Sequence, residues 1–235
     1  MQASVRFGLG IYHDDGNAPS SVAMNLDNVL VEVHETNTVF SDELRFSVGT
    51  ISDLGVSWGT ISSHTKGSKP DIAMAVSSGE NTLIEVHEDN GKLYYSAGIV
   101  NKQDKIIKWW SEGGNHWSDG HNPGVALDSK GTLVTVYRDG SKLNYAIGAL
   151  NISTKKVSFG KGILLADDMN DDNATPSVSI NENGVVLVTY QTVSFNLFYY
   201  GGIVEYDVVT NAMTIKWKSK GVFDSISSQS GDEKR

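Results

Sequence analysis

The chain has 235 residues, a net charge of −9 and no cysteine. The negative charge argues against binding nucleic acid or an anionic membrane by bulk electrostatics, and the absence of cysteine excludes disulfides and thiolate metal sites. The sequence shows neither a signal-peptide pattern nor an apolar run of the roughly 18 residues that a membrane span needs, so we expect a globular protein that is cytoplasmic or exported by a signal-independent route.

Two landmarks recur in the same order four times along the chain. The first is a proline that opens a short apolar segment, and successive copies are 51, 53 and 53 residues apart: Pro19, Pro70, Pro123 and Pro176. The second is a strand rich in aliphatic residues that alternate with polar ones: 29–35, 83–88, 133–138 and 186–191.

Two further landmarks follow in each repeat. One is a strand with the frame Leu-x-aromatic-x-x-Gly, whose leucines we expect to be buried: Leu44, Leu93, Leu143 and Leu197. The other is an outer strand with an aliphatic residue two positions before an aromatic one: Val56/Trp58, Ile107/Trp109, Val157/Phe159 and Ile215/Trp217. Because four independent landmarks keep register over four copies, the chain is a tandem repeat of ~52 residues.

Four short antiparallel strands per repeat predict an all-β fold, a β-propeller of four four-stranded blades that cover each other's faces. The dipeptides Asn90-Gly91 and Asp139-Gly140 predict tight hairpin turns, which argue against a β-solenoid. We interpret residues 1–235 as one propeller domain. Its repeats and its polar tail fall approximately at 5–55, 56–106, 107–156, 157–218 and 225–235.

The two ends of the chain do not match the repeat count. Residues 5–8 copy the start of an outer strand, yet the last repeat already has its own outer strand at 215–218. The N-terminal strand would either join the last blade and close the ring of a monomer, which we favour, or pair with another chain to complete a fifth blade in a homo-oligomer. Residues 222–224 would add a short strand after the last repeat.

The repeat also resembles a known one. The frame Gly-x-x-Pro-x-Val-Ala, Val-Glu-Val-His-Glu, Leu-x-Tyr-Ser-x-Gly and Trp-Gly, which covers residues 5–223, resembles a tandem repeat of bacterial lectin-like or toxin-associated proteins. The resemblance implies a small-bladed propeller with repeated weak carbohydrate sites, whose repetition raises avidity. Repeats three and four depart from the frame, with Tyr137-Arg138 and Tyr190-Gln191 in place of the His-Glu pair, so a site built on that pair would occur twice.

The two His-Glu pairs are the first candidate ligand contacts: His34, Glu35, His87 and Glu88. A hydrogen-bonding ring beside a carboxylate suits a sugar or a carboxylate ligand. The alternative is that these flat residues pack between blades with one polar tip satisfied. A zinc site is disfavoured, because each histidine is alone in its blade and lacks the second histidine of a His-Glu-x-x-His helix.

The second candidate is a tryptophan-rich loop that occurs once, between the second and third repeats. Trp110 and Trp117 depart from the regular packing pattern, and sugars commonly stack on an aromatic ring beside polar groups that fix their orientation. The polar candidates in this loop are Asn115, His116, Asp119 and His121. The alternative is that both indoles fill space between blades.

No catalytic or cofactor motif stands out. The acidic run at 167–173 offers oxygen ligands that suit calcium, but it lacks the spacing of an EF-hand, so we expect a solvated turn and predict no metal or cofactor. We therefore predict a non-enzymatic carbohydrate-binding protein with a glycan as its partner. The alternatives are a protein-binding or targeting module of a toxin or assembly, and a glycoside hydrolase or sialidase-like enzyme with paired carboxylates.

Overall fold

The computed structural model describes residues 19–38, 41–52, 55–110, 114–170, 174–207, 209 and 212–224. These residues form nineteen β-strands in four antiparallel sheets and contain no helix. The all-β class and the division into four sheets are therefore confirmed. We call the sheets blades 1 to 4 in chain order.

Blades 1 and 2 share one arrangement, in which three consecutive strands pair in order and two short outer pieces pair with the third strand. The strands of blade 1 are β1 Ser20–Met24, β2 Val29–Thr38, β3 Ser41–Ser52, β4 Gly55–Trp58 and β5 Ser62–Lys66. Those of blade 2 are β6 Ser68–Ser77, β7 Glu80–Asp89, β8 Lys92–Asn101, β9 Ile106–Trp109 and β10 Asn115–Asp119.

Blade 3 has the same arrangement, and blade 4 has four strands in the order β16-β17-β18-β19. The strands of blade 3 are β11 His121–Leu127, β12 Thr132–Asp139, β13 Lys142–Asn151, β14 Lys156–Phe159 and β15 Ile163–Ala166. Those of blade 4 are β16 Ser177–Ile180, β17 Val185–Gln191, β18 Leu197–Asp207 and β19 Ala212–Asp224.

The outer strands differ from the prediction in one respect. In blades 1 to 3 the outer strand is divided, and only its first piece carries the aliphatic–aromatic pair read from the sequence. In blade 4 the strand is continuous, and its register shifts between Gly201 and Gly202. The short strand predicted at 222–224 is the end of β19.

The hydrophobic core lies between blades. Three clusters occupy the three successive junctions, and each combines residues of one blade with residues of the next. At the first junction, for example, Val31 and Val33 of blade 1 belong to the same cluster as Ile72 and Met74 of blade 2. Each junction thus covers the apolar face that a single sheet leaves open.

The burial predicted for the four regular leucines is confirmed in blades 1 to 3 and is wrong for blade 4. Leu44, Leu93 and Leu143 are fully buried, while Leu197, in the last blade, is only half-buried. Asn90 and Gly91 have φ values of 53° and 74°, and positive φ at both central positions is what a type I′ hairpin requires. The N-terminal strand at 5–8 and the tail at 225–235 lie outside the described residues.

Candidate ligand-binding pocket

His87, the histidine of the second His-Glu pair, lies at the junction of blades 1 and 2. There, Glu85 and His87 of β7 meet His64 of β5, and all three side chains are buried. The Glu85 carboxylate lies 3.3 Å from His64 Nε2 and 2.9 Å from His87 Nδ1. His64 stacks on Trp109 of blade 2 with ring centroids 4.1 Å apart. His87 is therefore part of a buried contact between blades.

In this cluster, the charges of Glu85 and His87 stabilise each other. Burial would raise the pKa of the Glu85 carboxyl, but the charge of His87 and the hydrogen bonds with His64 and His87 lower it below its usual value. Burial would likewise lower the pKa of His87, but the charge of Glu85 and their hydrogen bond raise it. The pair thus favours the ionised carboxylate and the protonated imidazole.

The first His-Glu pair repeats part of this geometry in blade 1. His34 is buried, and its Nδ1 lies 3.0 Å from Glu32 Oε1, as His87 Nδ1 lies beside Glu85 in blade 2. The same two-residue spacing on one face of a strand produces both contacts. His34 is therefore a buried side chain of the blade.

The two glutamates of the pairs hold the start of the next blade. Glu35 accepts a hydrogen bond from the Lys69 backbone N–H at 3.2 Å, and Glu88 accepts one from the Asn122 N–H at 3.1 Å. Lys69 and Asn122 both have a φ of 51°, at irregularities in β6 and β11. Each carboxylate thus stabilises a bulge in the first strand of the following blade.

These two carboxyl groups differ in their electrostatic surroundings. Burial raises the pKa of Glu35. Burial would also raise the pKa of Glu88, but hydrogen bonds with His121 and Asn122 and the charge of Lys69 lower it. His121 Nδ1 lies 2.7 Å from Glu88 Oε1. These two predicted ligand contacts therefore form a structural contact with each other.

The tryptophan-rich loop is divided between two sides of blade 2, because successive residues of a strand point to opposite faces. Trp117 stacks on Phe159 of blade 3 with centroids 4.7 Å apart, and it meets Tyr137 edge-on. His116 is exposed and makes an edge contact with Tyr94 instead. The predicted loop residues therefore do not form one site.

Two of the predicted residues do meet, in a pocket at the junction of blades 2 and 3. The pocket has a volume of about 180 Å³, and its lining consists of Tyr95, Ala97, Trp110, Asn115, Lys155, Lys156 and Val157. Trp110 Nε1 is buried, so ring carbons form its contribution to the lining. Burial raises the pKa of Tyr95, which keeps this phenol protonated and able to donate a hydrogen bond.

The equivalent place at the junction of blades 1 and 2 is filled. Gly59 stands there at the position of Trp110, and a Cβ on Gly59 would lie 2.7 Å from the Cβ of Lys105. The Lys105 ammonium crosses this glycine and donates to Ser57 Oγ at 2.6 Å. At the next junction Trp110 replaces the glycine, and the corresponding Lys155 is exposed. The open pocket thus coincides with an exchange of glycine for tryptophan at this position.

A larger cavity, of about 510 Å³, lies where the first strands of the four blades begin. Its lining contains all four prolines of the repeat, together with Ser20, Ser21, Lys69, Asp71, Thr175 and Ser177. Asp71 accepts hydrogen bonds from Ser21 Oγ at 2.7 Å and from the Val125 N–H at 2.8 Å, and burial raises its pKa. Asp71 thereby joins three blades. It is the one carboxyl group in this lining, whereas glycoside hydrolysis needs a pair.

The acidic run packs against blade 4. Asp168 accepts a hydrogen bond from the Tyr190 hydroxyl at 2.9 Å, and Asn170 N–H donates to the Gln191 carbonyl at 2.8 Å. Residues 171–173 lie outside the described part. Within the described ranges, no group of three histidine or carboxylate side chains is arranged so that it could hold a metal ion, and no helix there has the length and apolarity to cross a membrane.

Sequence reasoning missed His64 and the pocket residues Tyr95, Lys155 and Lys156. A signal for His64 was present, since it stands three residues before Gly67 as Trp117 stands before Gly120. The two glycines have φ values of 151° and 146°, and a Cβ on either would clash with the ring of the next blade, His87 or Tyr137.

No protein-family model matches the sequence, and no curated protein matches it. The fold, however, is similar to solved propellers. The lectin of Aleuria aurantia in complex with alpha-methyl-L-fucoside superposes with a TM-score of 0.57 and 12% identity, over 88% of this chain and 62% of the lectin. A second structure of that lectin, described as a six-bladed β-propeller with a novel fucose recognition mode, gives 0.56 and 13%.

An enzyme structure is also similar. The NanB sialidase from Streptococcus pneumoniae superposes with a TM-score of 0.51 and 14% identity, over 77% of this chain and 29% of the sialidase. The chain thus spans about three-fifths of the lectin and less than a third of the sialidase. At these identities the similarity establishes one property, which is that this chain has a β-propeller fold.

Proposed function

We propose that the protein is a non-enzymatic carbohydrate-binding β-propeller whose ligand lies in the pocket between blades 2 and 3. The observation that carries this proposal is the composition of the pocket. Two aromatic rings, an amide and two ammonium groups converge on a volume suited to a ligand about the size of one sugar ring. The similarity in fold to a lectin that was solved with a fucoside adds support.

The chemistry of the lining matches a sugar. Trp110 and Tyr95 supply aromatic surface for the C–H face of a pyranose, and Asn115 carries an amide that can orient hydroxyl groups. The exposed Lys155 and Lys156 add ammonium donors at the rim. Because a lysine fills the equivalent place at the first junction, we do not propose a second copy of this pocket there.

This assignment separates the predicted residues by role. Trp110 and Asn115 contact the ligand. Glu35, His87, Glu88 and Trp117 hold blades together, and His121 does so through Glu88. His34 contacts Glu32 within blade 1. His116 and Asp119 lie on the other side of the loop, where they contact each other at 3.3 Å.

The test combines a glycan array with titration calorimetry on the best monosaccharide. Trp110→Ala, and separately the pair Lys155→Ala and Lys156→Ala, should reduce affinity about tenfold or more, equivalent to the loss of a contact worth roughly 1.4 kcal/mol. The lysine pair is exposed, so its melting temperature should stay unchanged. Lys105→Ala, at the equivalent place of the first junction, is the matched control and should bind normally.

Other outcomes would replace the proposal. Full glycan binding by the lysine pair and by a folded Trp110→Ala variant would place the site elsewhere. No glycan binding, together with a stoichiometric protein partner, would make the chain a protein-binding or targeting module. Turnover of a chromogenic glycoside that one carboxylate substitution abolishes would make it a hydrolase.

A further inference from the structure

The outward face of blade 4 is exposed where the same face of the other blades is buried. In each blade, one residue of the second strand pairs with the residue before the conserved glycine of the third. In blades 1 to 3 this residue is fully buried under the next blade: Val31, Ile84 and Val134. Leu187 has this place in blade 4, and it is 43% exposed.

The face of blade 1 that points away from blade 2 is likewise exposed, whereas the equivalent faces of blades 2 and 3 are buried. In blades 2 and 3, two residues of the first strand are buried towards the preceding blade: Ile72 and Met74, and Val125 and Leu127. Their equivalents in blade 1 are Val22 and Met24, given the pairing of each first strand with its neighbour. Val22 is 64% exposed and Met24 is 59% exposed.

Phe223 extends the exposed face of blade 4. Trp117 is the extra residue at a register shift in the outer strand of blade 2, and it stacks on the following blade. Phe223 is the extra residue at the matching shift in blade 4, between Val222 and Asp224. Phe223 is 70% exposed, so its ring, unlike that of Trp117, does not pack against a following blade.

We propose that the blade 4 face, formed by Leu187 and Phe223, packs against the blade 1 face, formed by Val22 and Met24, of a second copy of this chain. The occupant is inferred from the molecule itself, because all three internal junctions join the same two faces and bury or partly bury these equivalent positions. The contact is head-to-tail, and such contacts either close into a ring or continue as an open chain. This proposal is independent of the glycan site.

Analytical ultracentrifugation over a range of protein concentrations tests the contact. The native protein should self-associate, and Leu187→Asp and Met24→Asp should each sediment as monomers. Leu187→Thr introduces a β-branched residue, which strands favour, so it guards against a variant that fails to fold. Leu164→Asp is the matched control, since Leu164 is 52% exposed in β15, away from both faces, and it should associate normally.

A mixture of the two variants distinguishes head-to-tail packing from other modes. Leu187→Asp keeps an intact blade 1 face and Met24→Asp keeps an intact blade 4 face, so their equimolar mixture should form one-to-one dimers and nothing larger. A native protein that stays monomeric at all concentrations would overturn the proposal. Association that persists in either folded variant alone, or that the control also loses, would overturn it equally.

Discussion

The two junctions on either side of blade 2 share a geometry and differ in chemistry. At the first, His64 stacks on Trp109 and contacts the buried Glu85. At the second, Trp117 stacks in the same way on Phe159. The ring-on-ring contact persists while its members change. The repeat therefore conserves the stacked geometry of a junction but allows its side chains to be charged or neutral. For the same reason, a ligand pocket can form at one junction and not at another.

The residues beside the stacked ring also differ in charge between the two junctions. Glu85 and His87 at the first junction correspond to Thr135 and Tyr137 at the second. Thr135 is buried and donates a hydrogen bond to the Ala146 carbonyl at 3.4 Å. The stacked ring thus meets a buried charged pair at the first junction and a neutral pair at the second, so the two pairs should respond differently to the same substitutions.

The largest difference is expected for alanine at the shared position. Glu85→Ala removes the carboxylate between two buried imidazoles and should cost about 3–5 kcal/mol of the free energy of unfolding, as the loss of one partner of a buried pair does. Thr135→Ala should cost only about 1 kcal/mol, the scale of one neutral hydrogen bond. Urea unfolding measures both, and equal costs would show that the cluster carries no special stability.

Trp117→Ala tests the packing role of the second stacked ring. Because the indole is half-buried against Phe159, the variant should lose about 2–3 kcal/mol, less than the 3–5 kcal/mol of a fully buried tryptophan. Its melting temperature should fall by about 5–10 °C, and Asp119→Ala, at an exposed position of the same loop, should leave it unchanged. A normal melting temperature with lost glycan binding would instead make Trp117 a ligand contact.

These junctions also show how much the sequence could predict. The prolines, the leucines and the turn at Asn90-Gly91 recur or obey a local backbone rule, so they predicted the sheets and their order. The contact of His64 with Glu85 is a relation between different blades, and a linear period does not encode it. The pocket was harder still, because it depends on Trp110 replacing a glycine and on how the neighbouring lysine then lies.

The pH dependence of the free energy of unfolding should distinguish the two junctions without the removal of an aromatic ring. The folded-state pKa of His87 is raised, so its contribution is present below about pH 6.5 and is lost as the pH rises through the folded value. The folded-state pKa of Glu85 is lowered, so its contribution is present above about pH 4.3 and is lost as the pH falls through the folded value. The cluster should therefore stabilise the fold most between about pH 4.3 and 6.5.

A double variant supplies the control for this pH profile. Glu85→Thr with His87→Tyr gives the first junction the residues of the second, and neither new side chain titrates in this range. The melting temperature of the native protein, relative to that of the double variant, should be highest in the window and fall on both sides of it. A difference that is constant with pH would show that the cluster does not titrate as inferred.

The smallest effects on stability are expected from substitution of Lys105, which fills the pocket position at the first junction, and of Lys155, which lines the open pocket at the second. Lys105→Ala removes the ammonium that donates to Ser57 Oγ and the Trp58 carbonyl, so it should cost about 0.5–1 kcal/mol in urea unfolding. Lys155→Ala should leave stability within about 0.5 kcal/mol, as for most exposed positions, and should weaken glycan binding, which Lys105→Ala should not. If both variants lost the same stability and neither lost affinity, the two lysines would have equivalent roles, and the pocket would owe nothing to the freed ammonium group.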